Sequence, residues 1–254
     1  MQIIGHRGYP EKAPENTLPS FARAIEAGAD MIELDAQVSR DGVPMVIHDD
    51  TLSRTTNARR IWPRRHVRVS DCKAVELGKL DAGRWFGPEF AGTRISTLAE
   101  ALEFIRRRGS VALVERKSGA PKIYTELLGP EAADVVLMSF DWKFLREFHD
   151  LAPGIAIGAL GPPSHLVNGR KPRRRFRRLS RRWLEDLAGT GASLISWNRQ
   201  VSAAAIQLAH DRGLKVLVYT TDNIPVSRRL VKAGVDGVIT NRVTRIREAL
   251  LSKI

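Results

Sequence analysis

Cysteine is all but missing. Cys72 is the only one in 254 residues, so no disulfide can form within the chain and the fold has to rest on burial. Long apolar runs are missing as well. No stretch approaches the roughly 20 residues that a membrane-spanning helix needs. Met1 leads straight into Gln2-Ile3-Ile4, without the basic n-region and apolar h-region of a secretory signal. These absences set the expectation of a cytoplasmic, disulfide-free chain. Acidic residues are outnumbered, 28 against 41 Lys and Arg, which leaves a net charge of +13. That balance favours an anionic partner: nucleic acid, an anionic membrane surface or an anionic substrate. Much of the excess is local, however. Arg170, Lys171, Arg173, Arg174, Arg175, Arg177, Arg178, Arg181 and Arg182 form one run. A local run argues against a whole-protein nucleic-acid binder, and no sequence-specific nucleic-acid contact is expected. A solvated helix face and a peripheral contact with an anionic membrane both fit Arg170 to Arg182.

What is present is a rhythm. Apolar residues make up 43% of the chain, enough for a sizeable core. Short runs rich in Ile and Val fall at residues 2–6, 31–38, 111–117, 135–140, 155–160, 194–198, 216–220 and 237–240. Amphipathic stretches alternate with them at 18–27, 97–107, 122–128, 142–151, 175–187, 203–212, 226–232 and 243–251. Strands that are apolar almost throughout are buried on both faces, as in a parallel sheet. Eight strand–helix units in this length predict an α/β TIM (β/α)8 barrel, one domain over 1–254. Asn16 or Thr17 can cap the first helix, and Gly28, Gly109, Gly213 and Gly234 stand where helices should stop. One stretch, about 41–95, breaks the rhythm after the second strand. It holds a weak alternation at 43–48 behind the Asp41-Gly42 turn, then scattered Gly, Pro and aromatics. An excursion this long inside a barrel predicts a small inserted subdomain capping the C-terminal mouth.

The strand ends carry the chemistry. Glu33 and Asp35 lie two apart on a strand, so they share a face roughly 7 Å apart. With Leu34 turned to the helices, both point into the barrel, where two buried acids repel unless a cation neutralises them. Glu115 repeats the placement on the third barrel strand and can complete a three-carboxylate site for one divalent cation. All-oxygen ligation suits Mg2+, Ca2+ or Mn2+ rather than zinc. A bland reading stays open, with one acid paired to an arginine and Glu115 to Lys117. Lys117 is well placed for a phosphate oxygen, and Arg7 can grip phosphate in a bidentate fashion. Gly5 and Gly8 flank His6 and Arg7 and permit close approach of backbone and ligand. His6 and His48 supply two groups that titrate near neutrality, as acid–base catalysis wants. Asp49 or Asp50 can orient His48, or merely shape the turn.

The ordered set His6-Arg7-Gly8, Pro14-Glu15-Asn16-Thr17, Glu33-Leu34-Asp35, Asp41-Gly42, His48-Asp49 and Leu52-x-Arg54-Thr55-Thr56 resembles that of glycerophosphodiester phosphodiesterases. The likeness runs on through Leu80-Asp81-Ala82-Gly83-x-Trp85-Phe86, Ser96-Thr97-Leu98, Glu115-x-Lys117 and Gly234 to Asn241, nearly the whole chain. Each motif alone is weak, and their joint order is specific. The resemblance implies a TIM barrel with an insertion after the second strand, and Glu33, Asp35 and Glu115 as metal ligands. It implies His6 and His48 as the acid–base pair, with Arg7 and Lys117 on the phosphate. It also implies a small-molecule glycerophosphodiester substrate, cleaved through a cyclic phosphate to glycerol 3-phosphate and an alcohol.

Where the family has Trp-Thr followed by Asn at the end of its seventh strand, this chain has Tyr219-Thr220-Thr221-Asp222-Asn223. Tyr219 is then a substrate-facing candidate, and Trp197 either compensates as a second one or only fills the core. Asn57-Ala58-Arg59-Arg60 replaces a glycine-containing turn, and the basic run is no family hallmark. Two other functions stay in view. A lysophospholipase D or sphingomyelinase D-like activity on lipids would suit the basic run, and a non-enzymatic basic barrel would bind surfaces or nucleic acid.

Overall fold

Eight parallel strands close into a ring in the computed structural model, which describes residues 1–62, 66–130, 132–172 and 177–251. They are β1 (Gln2–Gly5), β2 (Met31–Val38), β4 (Val111–Arg116), β5 (Val135–Ser139), β6 (Ala156–Gly161), β7 (Leu194–Trp197), β8 (Lys215–Val218) and β9 (Gly237–Thr240). β1 pairs with β2 on one side and β9 on the other, which closes the barrel. The short β3 (Pro44–Val46) stands outside the ring, antiparallel to the end of β2. Helices α1 (Leu18–Glu26), α4 (Leu98–Arg106), α5 (Pro121–Leu128), α6 (Trp142–Leu151), α7 (Arg181–Leu187), α8 (Ala203–His210), α9 (Ile224–Lys232) and α10 (Val243–Leu251) follow the ring strands. The fold is the TIM barrel that the rhythm predicts. Among the described residues no helix is long and apolar enough to cross a membrane.

Strand parity sorts the apolar side chains into two layers. Ile4, Leu113, Val136, Met138, Leu160, Leu194, Leu217 and Ile239 plug the barrel interior. Their neighbours, such as Ile3, Ile32, Leu34, Val114, Leu137 and Ile195, pack outward against the helices. Helix ends follow from sequence: the Thr17 side chain caps α1, and Thr97 with Glu100 forms a capping box on α4. Gly28, Gly109, Gly213 and Gly234 all have positive φ just past a helix, which glycine adopts without strain.

The excursion between β2 and α4 carries an apolar cluster of its own. Met45, Ile47, Leu52, Val69, Leu77, Leu80 and Ile95 are its main buried members, with Cys72 beside them. Two one-turn helices, α2 (Ala58–Ile61) and α3 (Ala74–Leu77), supply part of it. The expected hairpin arm is β3, held through the Gly42 turn and by pairing of Ala36 with Val46. Its far end leaves His48 at the C-terminal end of β2.

The basic run departs from expectation. The amphipathic stretch predicts a helix over 175–187, yet the described helix is Arg181–Leu187, and Arg173, Arg174 and Arg175 lie outside the described residues. Arg177 and Arg178 are not helical. Trp197 Nε1 and Asn198 Nδ2 both donate to the Arg177 carbonyl, at 2.9 and 3.1 Å, and the Leu179 N–H donates to the Gln200 carbonyl. Those bonds claim the backbone groups a longer helix would use.

Candidate active site

β2 and β4 run in a register that sets Asp35 beside Glu115. Parallel neighbours in register share a face, so Glu33, Asp35 and Glu115 all enter the barrel above its apolar plug. One oxygen from each lies within 4.8 Å of the others. Burial, then repulsion from Asp35, pushes the carboxyls of Glu33 and Glu115 well above the usual carboxylate range. Burial also pushes Asp35 up, but the Lys117 ammonium and Arg7 guanidinium outweigh it and hold it low.

Two cations balance the acids. Arg7 Nε sits 3.2 Å from Asp35 Oδ2, and Lys117 Nζ lies 3.1 Å from Asp35 Oδ1 and contacts Glu115. The buried Asp35 Oδ1 and Arg7 Nε nevertheless make no well-aligned hydrogen bond. Three ionised carboxylates against two cations leave one negative charge. A divalent cation would turn that into one positive charge, which suits an anionic diester. The all-oxygen donor set and the repulsion among the acids fit a hard divalent ion, and Asp35 Oδ1, held only by its ion pair with Lys117, has lone pairs left to offer it.

Arg7 is held in place by its backbone as well. Its N–H donates to Glu33 Oε2 at 2.8 Å, and its φ is 55°. Asn16 is also left-handed, at 56°, and donates from Nδ2 to Asp35 Oδ2 at 2.8 Å while its Oδ1 accepts from the Asp35 N–H. Two non-glycine residues in this region at one site mark strain that the surroundings enforce. The neighbours that require glycine beside Arg7 are the chain's own: a Cβ on Gly5 would overlap the Gly8 carbonyl, and one on Gly8 would overlap Ser20. Ser20 Oγ meanwhile accepts from the Tyr9 N–H and donates to the Arg7 carbonyl. Gly8→Ala, with φ at 87° and no room, should destabilise the protein by about 2 kcal/mol or more, read as a lowered denaturation midpoint. An unchanged midpoint would show that α1 can retreat from the turn.

The histidines face the acids from two sides. His6 Nδ1 lies 2.7 Å from Asn241 Oδ1, and its Nε2 is 4.0 Å from Glu33. Asn241 Nδ2 donates to Asp222 at 2.8 Å, and this fixes the amide so that its oxygen meets the histidine. His6 Nδ1 therefore carries the proton, and Nε2 presents a lone pair. His48 Nδ1 bonds to Asp49 Oδ1 at 2.7 Å, which resolves the choice between Asp49 and Asp50. Arg54, first of all, and His48 hold the Asp49 carboxyl down at about 2. Burial lowers both histidines from their ordinary value.

Glu15, Arg54, Asp222 and Asn241 have no role that the sequence alone assigns, and Asn16, a candidate helix cap there, serves the site instead while Thr17 caps α1. Glu15 takes Arg7 at 2.8 Å and a two-pronged contact from Arg54, and Arg54 also clasps Asp49 at 2.7 and 3.0 Å. The chain of ion pairs thus runs from the Arg7 guanidinium to the partner of His48. All five residues lie in or beside motifs visible in the sequence, but their partners lie up to 235 residues away.

His6, Arg7, Glu33, His48, Glu115 and Lys117 line one pocket of about 220 Å3 at the mouth, floored by the apolar plug. Tyr219 forms a wall, with its ring edge-on to Phe140 and its hydroxyl donating to the Gly161 carbonyl at 2.7 Å. Trp197 is not there. It shares the outward face of β7 with Ile195, is fully buried against Trp183 and leaves no room for a side chain at Gly161. Of the two readings of Trp197, the core-filling one holds and substrate contact is corrected.

A profile of the Glycerophosphoryl diester phosphodiesterase family matches residues 6–245. The chain is 35% identical over 247 residues to a glycerophosphodiester phosphodiesterase of Caldanaerobacter subterraneus subsp. tengcongensis, covering 94% of this chain and 93% of that one. It is 29% identical to a glycerophosphodiester phosphodiesterase of Bacillus subtilis, over 94% of this chain and 82% of that one. The structure of an Oleispira antarctica phosphodiesterase in complex with the product sn-glycerol-3-phosphate matches with a TM-score of 0.84 at 28% identity, over 98% of this chain and 96% of that one.

Proposed function

Because the chain belongs to the glycerophosphoryl diester phosphodiesterase family and is a hydrolase of that activity, we propose that its reaction is metal-dependent and runs through a cyclic phosphate to glycerol 3-phosphate and an alcohol. The observation that carries this reading is the small pocket lined by Glu33, Glu115, two histidines, Arg7 and Lys117, with Asp35 buried against both acids. One divalent cation held by Glu33, Asp35 and Glu115 would supply Lewis acidity at the phosphoryl oxygens and the attacking hydroxyl.

The remaining work falls to side chains. Arg7 and Lys117 bind the non-bridging phosphate oxygens and orient the diester. His6, with its bare Nε2, takes the proton from the glycerol hydroxyl next to the phosphoester. That oxygen bonds to phosphorus as the bond to the leaving alcohol breaks. His48, whose cation Asp49 supports, gives the departing oxygen a proton. Water then opens the five-membered cyclic phosphate with the two roles reversed. A pocket of about 220 Å3 suits a glycerol-phosphate group, being smaller than the ~300–1,000 Å3 of drug-sized sites.

A hydrolysis panel of glycerophosphodiesters and lysolipids, with EDTA, Mg2+, Ca2+ and Mn2+ in parallel, tests the proposal. EDTA should abolish turnover, and a divalent ion should restore it. Full turnover after exhaustive chelation would sink the metal, and faster release of alcohol from lysolipids would favour the lipid activity instead. A second readout is independent of catalysis. Protons on Glu33 and Glu115 compete with the cation, so titration calorimetry should show affinity falling more than tenfold from about pH 8 to about pH 6. A flat profile would mean that these carboxyls do not release protons to a metal.

A further inference from the structure

A second cavity, of about 650 Å3, opens beside the catalytic pocket, and Tyr219 and Thr220 line both. From this juxtaposition we propose an anion subsite, built from Arg199, Arg242 and Arg245, that selects glycerophosphodiesters whose leaving alcohol itself carries a phosphate. The inference rests on the diesterase reading above and names a substrate class for it.

The subsite is made by the loops after β7, β8 and β9 and the start of α10. In TIM barrels the loops after the seventh and eighth strands, here β8 and β9, often bind phosphate. The charge balance points the same way. The side chains of Arg199 and Arg245 are exposed and have no ion pair or hydrogen bond among the described residues. Arg242 is half-engaged, 3.4 Å from Glu11. Among the described residues the one acid lining the cavity is Asp222, and both its oxygens are taken: Oδ1 by Thr240 and the Asn241 N–H, Oδ2 by the Asn241 side chain.

The catalytic pocket differs in just this respect. Arg7 and Lys117 are tied to Glu15, Asp35 and Glu115, and they face the one phosphate that reacts. The unpaired arginines next door have no anionic side chain to meet among the described residues. A diester held by Arg7 and Lys117 must project its alcohol out of a small pocket, and the wall of Tyr219 and Thr220 separates that pocket from the arginines. A phosphate on the alcohol would reach them, while a cationic or uncharged alcohol would gain nothing there. Arg199 also lines a further cavity with Arg178 and Arg229, so the positive track continues outward. The same chemistry would admit free inorganic phosphate, and the test separates the two.

The experiment compares kcat/KM on three diesters of glycerol 3-phosphate, whose alcohols are choline, glycerol and glycerol 3-phosphate. The wild-type enzyme should prefer the last. Arg199→Gln and Arg245→Gln should each lower kcat/KM on it about tenfold, chiefly through KM, and the preference should fade with added salt. Both variants should keep the other two activities within about twofold, and Arg245→Glu should deepen the loss. Equal losses on all three diesters would make these arginines supports of the fold and overturn the subsite. Loss only of inhibition by inorganic phosphate, with substrate preference intact, would assign the cavity to the free ion and overturn selection. No hydrolysis of any diester would remove the diesterase reading itself, a result distinct from an enzyme that turns over all three without preference.

Discussion

Glu33→Gln should remove about 10³-fold or more of turnover while leaving the metal-free protein at least as stable as the wild type. The two halves of this result share one cause. Burial and the nearby Asp35 raise the Glu33 carboxyl, so without a cation the folded protein holds Glu33 in its neutral form. A neutral amide of the same shape replaces it at little cost, and Gln Oε1 can still accept from the Arg7 N–H that Glu33 Oε2 accepts now. A carboxyl raised on folding keeps its proton longer in the folded state than in the unfolded one. Its contribution is therefore complete below about 4.5 and is lost as pH rises through the folded value. The variant lacks that loss, so its advantage in denaturation midpoint should grow toward alkaline pH. Turnover moves the other way, because the amide brings no charge to a divalent ion whose Lewis acidity is worth several kcal/mol. Asp35→Asn should behave differently. Asp35 is held low by Lys117 and Arg7, and its neutralisation takes from each of these half-buried cations one of its two carboxylate partners. That variant should lose both activity and stability, and its stability deficit should shrink as pH falls below about 4. Calorimetric melts of both variants with and without metal read the contrast. A Glu33→Gln protein that melts well below the wild type in EDTA would show that the charged form of Glu33 holds the fold together.

The barrel was legible because its signals are local. Strand–helix alternation, a cap at Asn16 or Thr17 and glycine stops need only a few neighbouring residues to be read. The acids were legible for the same reason, since Glu33 and Asp35 share a face by strand parity alone. What parity cannot give is which face is inside. Trp197 and Tyr219 both end apolar strands, yet Trp197 shares its face with Ile195 in the helix layer and Tyr219 shares its face with Leu217 in the barrel plug. Only the closed ring decides between them. The long-range partners were silent too: Asn241 and Asp222 fix the tautomer of His6, and nothing in the spacing of residues 6, 222 and 241 announces it. The amphipathic pattern at 175–187 predicts a helix that starts too early, because bonds from Trp197 and Asn198 to the Arg177 carbonyl and from Leu179 to Gln200 hold residues 177–179 outside it.

The two histidines should respond in opposite ways to the leaving group. With an alkyl alcohol, His6→Ala and His48→Ala should each lose roughly 10²-fold or more of turnover, the usual contribution of one acid–base group. An aryl diester such as glycerol 3-phosphate p-nitrophenyl ester expels an oxygen that needs no proton. His48→Ala should then recover most of its loss, and His6→Ala should recover none. The reasoning comes from their partners. Burial and the neighbouring Arg7 favour the neutral His6 ring, and its Nδ1–H goes to an amide oxygen, which leaves a basic Nε2. His48 donates to Asp49, a carboxylate that Arg54 keeps ionised, and can hold a second proton ready for the leaving oxygen. Metal affinity, measured by calorimetry, should survive both changes, since neither imidazole belongs to the carboxylate triad. The route of attack follows from the same set of substrates. Removing the hydroxyl next to the phosphoester should cost as much as losing His6, and His6→Ala should then cause little further loss on that deoxy diester, because the proton it accepts is gone. Brisk hydrolysis of the deoxy diester by the wild-type enzyme would mean that water attacks phosphorus directly and that no cyclic phosphate forms. Rescue of His6→Ala, rather than His48→Ala, by the aryl leaving group would exchange the two assignments.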